Sequence, residues 1–344
     1  MNITKKIVAA VLCGTLMASS LTGCVFRPSR ILMGRLSKTE VFRIGDNICT
    51  KPELMVYLTT AQKQYENILG VDMWDRDFGG VTLESYLKET ILGQMAQVKS
   101  MTLLAEEYKV TLSAEEENKV NQAAKKYYDS LNETEKDYLG VDKEIIAGLY
   151  REYALSNKVY NEITKNVDTE VSDDEARKIT VQMIYLKFDT SADKVKKSKK
   201  ESHEKAKEIL AHVREKNVDF ASVAEQKSQE ETIEYTFGKG EQEEAIETAA
   251  FNLDTNEISD IIETSNAYVI MKCISNFDRE QTDANKAEIV EKRKEEAFDT
   301  VYDEFIKKAP SQFNDELWEE ISFSEDENIK NMSFFEVYNE VFEK

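Results

Sequence analysis

The chain is short of residues that break, staple or catalyse. Its 344 residues include 3 prolines and 12 glycines. A sandwich or barrel of short strands needs more turn punctuation than that, so long helices are favoured. With 2 histidines and 4 cysteines, little is left for metal sites or imidazole chemistry. Positive charge is also scarce: 45 Lys and Arg face 66 Asp and Glu, a net charge of −21. Phosphate binding needs a basic footprint, so nucleic acid is not expected as a partner. A mean hydropathy of −0.52 excludes a polytopic membrane protein. What is present, 41% hydrophobic and 9% aromatic residues, suffices for a sizeable core and excludes wholesale disorder. The length suits two domains or three.

The first residues read as an address. Lys5 and Lys6 precede an apolar run from Ile7 to Met17, which is too short for a comfortable membrane span. Small residues follow, then Leu21-Thr22-Gly23-Cys24. A positive end, an apolar core and a small-residue zone describe a secretory signal over residues 1–23. The tetrapeptide resembles the bacterial lipobox, which implies cleavage before Cys24 and lipidation of that cysteine. Cleavage removes Lys5 and Lys6 and no acid, so −21 becomes −23. Acyl chains would then hold the protein on the extracytoplasmic face of the cell membrane. Cys49 and Cys273 remain, either as two buried thiols or as a disulfide.

Residues 24–40 read as a tether and 41–46 as a short strand with its turn. Thr50 caps a helix over 52–69. The loop 70–80 carries Met73, Trp74 and Phe78, candidates to line an apolar client groove, with packing between helices as the alternative reading. Thr82 and Ser85 start the next helix, and Ser113 with Glu116 a third. A further helix spans 144–163, and the acidic stretch 167–174 reads as a domain boundary. The pattern continues with a strand over 181–188, a basic loop over 194–200 and a helix over 204–216. Asp219 caps a short helix, Gly238-Lys239-Gly240 makes a turn, and another helix covers 242–251. Strands follow at 257–262 and 267–274. A charged helix spans 283–308 with a stripe of Ala287, Val290, Ala297, Val301, Phe305 and Ile306. A strand is expected over 318–323 and a terminal apolar helix near 334–342. His203 and His212 are nine apart, on opposite helix faces, and make no metal pair.

The order strand, two helices, turn, helix, strand, strand over 179–277 resembles a parvulin-type (PpiC) peptidyl-prolyl isomerase domain. Lys205 to Leu210 followed by Asp219-Phe220-Ala221 matches that family's helices. Phe237-Gly238-Lys239-Gly240, Ala249 to Leu253, Glu257-Ile258-Ser259 and Tyr268 to Lys272 match its later motifs. With the lipobox and the helical flanks, the chain resembles PrsA/SurA-like extracytoplasmic foldases. The resemblance implies an α+β fold. A helical chaperone body formed by the N-terminal (41–170) and C-terminal (280–344) segments would carry an inserted small parvulin-like α/β domain (175–277). It implies unfolded or newly secreted polypeptides as partners, no cofactor and no metal, and leaves a homodimer open.

The family's two site histidines fall at Met183 and Val269, and its Cys or Asp falls near Glu230. Its proline-pocket Met and Phe fall at Gln242 and Ile246. Thr264 is kept, Asn266 stands where Ser is common, and Thr232 to Thr236 replaces a glycine-rich stretch. Twisting an amide meets a barrier of about 18–20 kcal/mol. Met183 and Val269 cannot supply imidazole hydrogen bonds to lower it. The expected function is a membrane-anchored chaperone with weak or absent isomerase activity. An active isomerase and, less favoured by the helical flanks, a solute-binding lipoprotein are the alternatives.

Overall fold

The computed structural model describes residues 36–77, 79–191 and 195–343. The signal segment, the lipidation candidate Cys24, most of the tether and Phe78 lie outside them. The chain divides into two units. Residues to Asn166 join Glu295–Lys344 in the first, and Val167–Lys294 form the second.

In the first unit, β1 (Glu40–Ile44) and β2 (Asn47–Thr50) form an antiparallel hairpin. Its turn needs Gly45, at φ +54°, where a Cβ would stand 3.1 Å from the Leu103 side chain. α1 (Lys51–Leu69) follows with Pro52 in its first turn, and Glu53 accepts from the Thr50 amide at 2.7 Å. Then come α2 (Leu83–Tyr108), α3 (Ala114–Ser130), α4 (Glu133–Leu139) and α5 (Lys143–Thr164). Thr82 and Ser113 cap α2 and α3 as their sequence suggests. α4 has a capping box too, Asn132 with Glu135, and was not foreseen.

The C-terminal part completes this unit. β7 (Ser311–Phe313) pairs with β1, giving the order β2-β1-β7. The strand expected over 318–323 is not formed: Trp318 and Glu319 end a short helix, α11 (Asp315–Glu319), and residues 321–323 have no regular secondary structure. The Asn314 side chain accepts from the Leu317 amide at 3.2 Å and turns the chain into a helix. The last helix, α12 (Phe334–Phe342), plugs into the bundle. Phe334 stacks on Tyr150 at 4.3 Å between centroids and meets Tyr57 and Tyr127 at 5.2 and 5.3 Å. The Tyr150 hydroxyl donates to the Phe334 carbonyl at 2.8 Å, so its polar end is satisfied inside the core.

A buried ion cluster ties this unit together. Lys99 on α2 has 2% of its side chain exposed, and its Nζ donates to Glu53 on α1 and Glu152 on α5, each at 2.7 Å. Asn47 Nδ2 donates to the Lys99 carbonyl at 2.8 Å, which adds the hairpin. Burial, opposed by Lys99, holds the Glu152 carboxyl above its usual range. Burial, and next the Glu53 charge, push the neighbouring Cys49 thiol up.

The second unit begins with α6 (Asp173–Ala176) and β3 (Ile179–Lys187). It continues through α7 (Val195–Val213), α8 (Phe220–Lys227), β4 (Glu234–Phe237), α9 (Glu244–Phe251), β5 (Ile262–Glu263), β6 (Ala267–Ser275) and the start of α10 (Arg279–Ile306). The antiparallel sheet runs β4-β3-β6-β5. β3 and β6 are covered on both faces, which is why they read as nearly continuous apolar runs. α9 covers the face of Val181, Met183, Val269 and Met271. α7 and α8 cover the face of Ile184, Leu186 and Ile270.

Several expectations are corrected. The basic stretch from Val195 to Lys200 is the opening of α7, not a loop; lysine is a good helix former, and the Val195 amide finds the Ser191 carbonyl at 3.0 Å. Of 257–262, Ile258 makes an isolated bridge and only Ile262 enters a strand. On α10, Ala287 is exposed, while Thr282 and Phe298 are the buried positions. Cys49 and Cys273 are free and buried, in the cores of different units.

Two outcomes test the cluster. Lys99→Met leaves two carboxylates without their cation and is expected to cost about 3–5 kcal/mol in chemical denaturation. Glu152 binds its proton at higher pH when folded than when unfolded, so it lowers stability as pH rises past the usual carboxylate range. Glu152→Gln should therefore remove a loss of stability otherwise seen on raising pH from about 4.5. An unchanged pH–stability curve counts against this assignment.

Candidate functional site

The candidate site lies on the α9-covered face of the second unit's sheet. Met183 stands opposite Met271, and Tyr185 opposite Val269. Side chains alternate along a strand, so Val181, Met183 and Tyr185 share this face. Met183 and Val269 are fully buried, and Ile246 on α9 is 3% exposed against them. These three are brought together, as core.

The other candidates are not part of that cluster. Glu230 sits in the loop Ser228-Gln229-Glu230, which is laced to the edge of β3. The Tyr185 amide donates to Ser228 Oγ at 3.2 Å, and the Gln229 amide donates to the Tyr185 carbonyl at 2.9 Å. The Glu230 carboxylate pairs with Lys187 at 2.7 Å, both about half in solvent, a contact worth at most about 1 kcal/mol. Gln242 is half-buried ahead of α9, its amide donating to Glu247 at 2.9 Å. Asn266 is exposed in the turn between β5 and β6, where its carbonyl accepts from Phe188. Thr264 closes the same turn through its hydroxyl and Ala267.

Tyr185 and Tyr235 belong to this face and were missed. Their rings lie 6.1 Å apart, and both are half-buried. The Tyr185 hydroxyl points at the Met183 sulfur at 3.3 Å, while Tyr235 donates to the Thr232 carbonyl at 2.7 Å. Burial first, then Tyr235, Glu230 and Glu243, push the Tyr185 phenol up to about 12. It is therefore neutral near pH 7, a hydrogen-bond donor and not a base. Its sequence signal was the two-residue spacing from Met183. Glu243 is occupied, accepting from the Ser265 amide and hydroxyl at 2.8 and 3.1 Å.

Chemically, this face offers apolar and aromatic surface and one phenol. Among the described residues no group of His, Cys, Asp and Glu is arranged to hold a metal ion. His203 packs on Tyr268 at 4.8 Å, on the other side of the sheet, and His212 is exposed near Glu215.

The sheet and its covering helices fall in a segment that resembles known proteins. Residues 184–275 match the family described as "Rotamase: PPIC-type PPIASE domain". A foldase protein PrsA of Clostridium acetobutylicum is 25% identical over 91% of this chain and 97% of its own length. The PrsA of Streptococcus mutans is 28% identical over 46% of this chain, and that match spans 47% of the relative. Residues 184–275 are a PPIC-type domain, and the chain around them is PrsA-like. A crystal structure of the Bacillus cereus peptidylprolyl isomerase PrsA covers 75% of this chain at 18% identity, with a TM-score of 0.36. Met183 lies one residue before the PPIC-type match, and Val269 inside it.

Because Met183 fills a closed core, this PPIC-type domain does not accept an imidazole there freely. Met183→His is expected to destabilise the fold by about 1–3 kcal/mol, the cost of a buried polar group without a partner. Thermal or urea unfolding reads this directly, and an unchanged midpoint contradicts the packing described.

Proposed function

We propose that this chain is an extracytoplasmic chaperone of the PrsA type that holds unfolded exported polypeptides and has weak or no prolyl isomerase activity. The observation that carries the second half is the burial of Met183 and Val269. At the two family histidine positions the face presents a thioether and an isopropyl group, neither reachable by solvent. Lowering the barrier to amide rotation needs polar groups aimed at the twisting bond. The similarity to foldase proteins PrsA supports the first half. Lipid attachment at Cys24 after removal of residues 1–23 rests on the Leu21-Thr22-Gly23-Cys24 motif. A net charge of −23 after that cleavage would keep a protein that handles sticky chains soluble and favour basic clients.

The neutral Tyr185 hydroxyl favours a second reading, an isomerase with a phenol in the imidazole's place. One pair of measurements separates the two. The chain from Cys24 onward is expected to suppress aggregation of an unfolding client at near-stoichiometric concentration. It should leave cis/trans exchange of a proline peptide on its uncatalysed scale of about 10–100 s at 25 °C. Catalysis that Tyr185→Phe abolishes establishes the second reading; failure to suppress aggregation removes the first.

A further inference from the structure

Five large hydrophobic residues are exposed among the described residues, and four of them gather at one place. Ile68 (39% exposed) and Val71 (65%) end α1 and open the following loop. Val81 (47%) and Tyr86 (58%) close that loop and begin α2. The loop is folded back on itself. Asp77 bridges Thr82, the Arg76 amide donates to the Met73 carbonyl at 3.2 Å, and the Glu84 amide reaches the Trp74 carbonyl at 3.4 Å.

Of the residues that first suggested a client groove in this loop, Met73 and Trp74 are spent on packing. Met73 is 3% exposed. Trp74 lies edge-on to Phe323 at 4.5 Å, and its Nε1 donates to Glu66 at 3.0 Å. They form the floor of the tip, and its outer surface is the flanking quartet.

The charge around the quartet is mostly negative: Asp72, Asp75, Asp77 and Glu89 are exposed, against one exposed cation in the loop, Arg76. The carboxylates of Asp72, Asp75 and Glu89 form no ion pair or hydrogen bond with any described residue. Beside them a hollow between the first turn of α2 and α11 is lined by Glu84, Glu89 and Glu319, with Lys88 and Trp318. Lys88 is already committed, donating to the Ile321 carbonyl at 2.5 Å and lying 4.9 Å from the Trp318 ring centre. An apolar tip next to unpaired carboxylates is complementary to a chain that is apolar and basic at once. A membrane surface of anionic lipid would meet repulsion here, and so would a second copy presenting the same tip.

We infer that the tip of the α1–α2 hairpin, Ile68, Val71, Val81 and Tyr86 with Asp72, Asp75 and Glu89, docks extended polypeptide segments that mix apolar and basic side chains. This rests on the chaperone reading above and gives it a client class and a place. Apolar side chains lie across the quartet, and a neighbouring Lys or Arg enters the carboxylate-lined hollow. Because the surface is already exposed, binding needs no opening of the bundle.

The test uses the chain from Cys24 onward and two fluorescent probes, a leucine–arginine peptide and a leucine–glutamate peptide of equal length. Fluorescence anisotropy should show the first binding at least about tenfold more tightly, with the difference shrinking as salt rises. Val71→Ser, Val81→Ser and Tyr86→Ala together should weaken it at least about tenfold. Asp72→Asn with Asp75→Asn should remove much of the salt dependence while leaving the leucine contribution. All five positions are exposed, so unfolding midpoints should stay at the parent's value. Equal binding of the arginine peptide by parent and triple variant overturns the inference while the chaperone reading stands. So does a parent dimer, or binding to anionic vesicles, that the triple variant abolishes with peptide affinity intact. Absence of both peptide binding and aggregation suppression in the parent overturns the two together.

Discussion

Closure of the first unit on Phe334 is the contact on which the rest depends. That ring enters a socket of Tyr57, Tyr127 and Tyr150, contributed by α1, α3 and α5. Its partners lie far away in sequence, because the whole of residues 167–294 intervenes. Bringing the ends of so long a segment together costs about 4 kcal/mol beyond a constant, growing only as the logarithm of its length. Burying Phe334, Phe335, Val337 and Tyr338 offsets this comfortably, at about 1.5–3 kcal/mol for each large apolar side chain. The β1–β7 pairing and the Asn314 side chain, which donates to the Glu40 carbonyl, fasten the same closure at the sheet. An inserted domain is thermodynamically cheap for this architecture once the C-terminal helix has a socket.

The ion cluster around Lys99 works differently. It joins α1, α2 and α5 by direction and charge, where the aromatic socket joins helices by area. A buried lysine between two carboxylates is weak support for overall stability. What it contributes is register: only one arrangement of the three helices satisfies Lys99, and the hairpin is fixed to the same point through Asn47. Glu152 keeps one oxygen buried without a partner, so the cluster sits at the edge of what burial allows.

In the PPIC-type domain the same physics closes a sheet face. A site needs polar groups held at a surface that solvent and substrate can reach. Here the sheet face is closed by Met183, Met271, Val269 and Ile246, and polarity survives only at its margin, in Tyr185, Tyr235 and the Glu230–Lys187 pair. The acidic, apolar tip of the first unit carries the opposite combination, exposed and unpaired. The division between a retained scaffold and an exposed binding surface gives the proposed function its shape.

Much of this was legible in the residues. Helix starts at Thr50, Thr82, Ser113 and Asp219 follow from local hydrogen bonding, which depends on a few neighbours in sequence. The apolar runs of β3 and β6, and the motif order of the middle domain, were likewise legible from near neighbours. Failures came where distant contacts decide. The segment 318–323 reads as a strand until Asn314 caps α11, and β7 exists because β1 offers it an edge. The lysines of 195–200 look like a loop until they continue into α7. In and beside the loop 70–80, composition could not say that Met73 and Trp74 pack inward while Val71, Val81 and Tyr86 face out. Sequence by itself determined local capping, strand alternation and the motif order of the PPIC-type domain, because each depends on neighbours or on identity alone. Tertiary structure alone decided which apolar side chains are core and which are surface, because burial is settled by what the rest of the chain brings alongside.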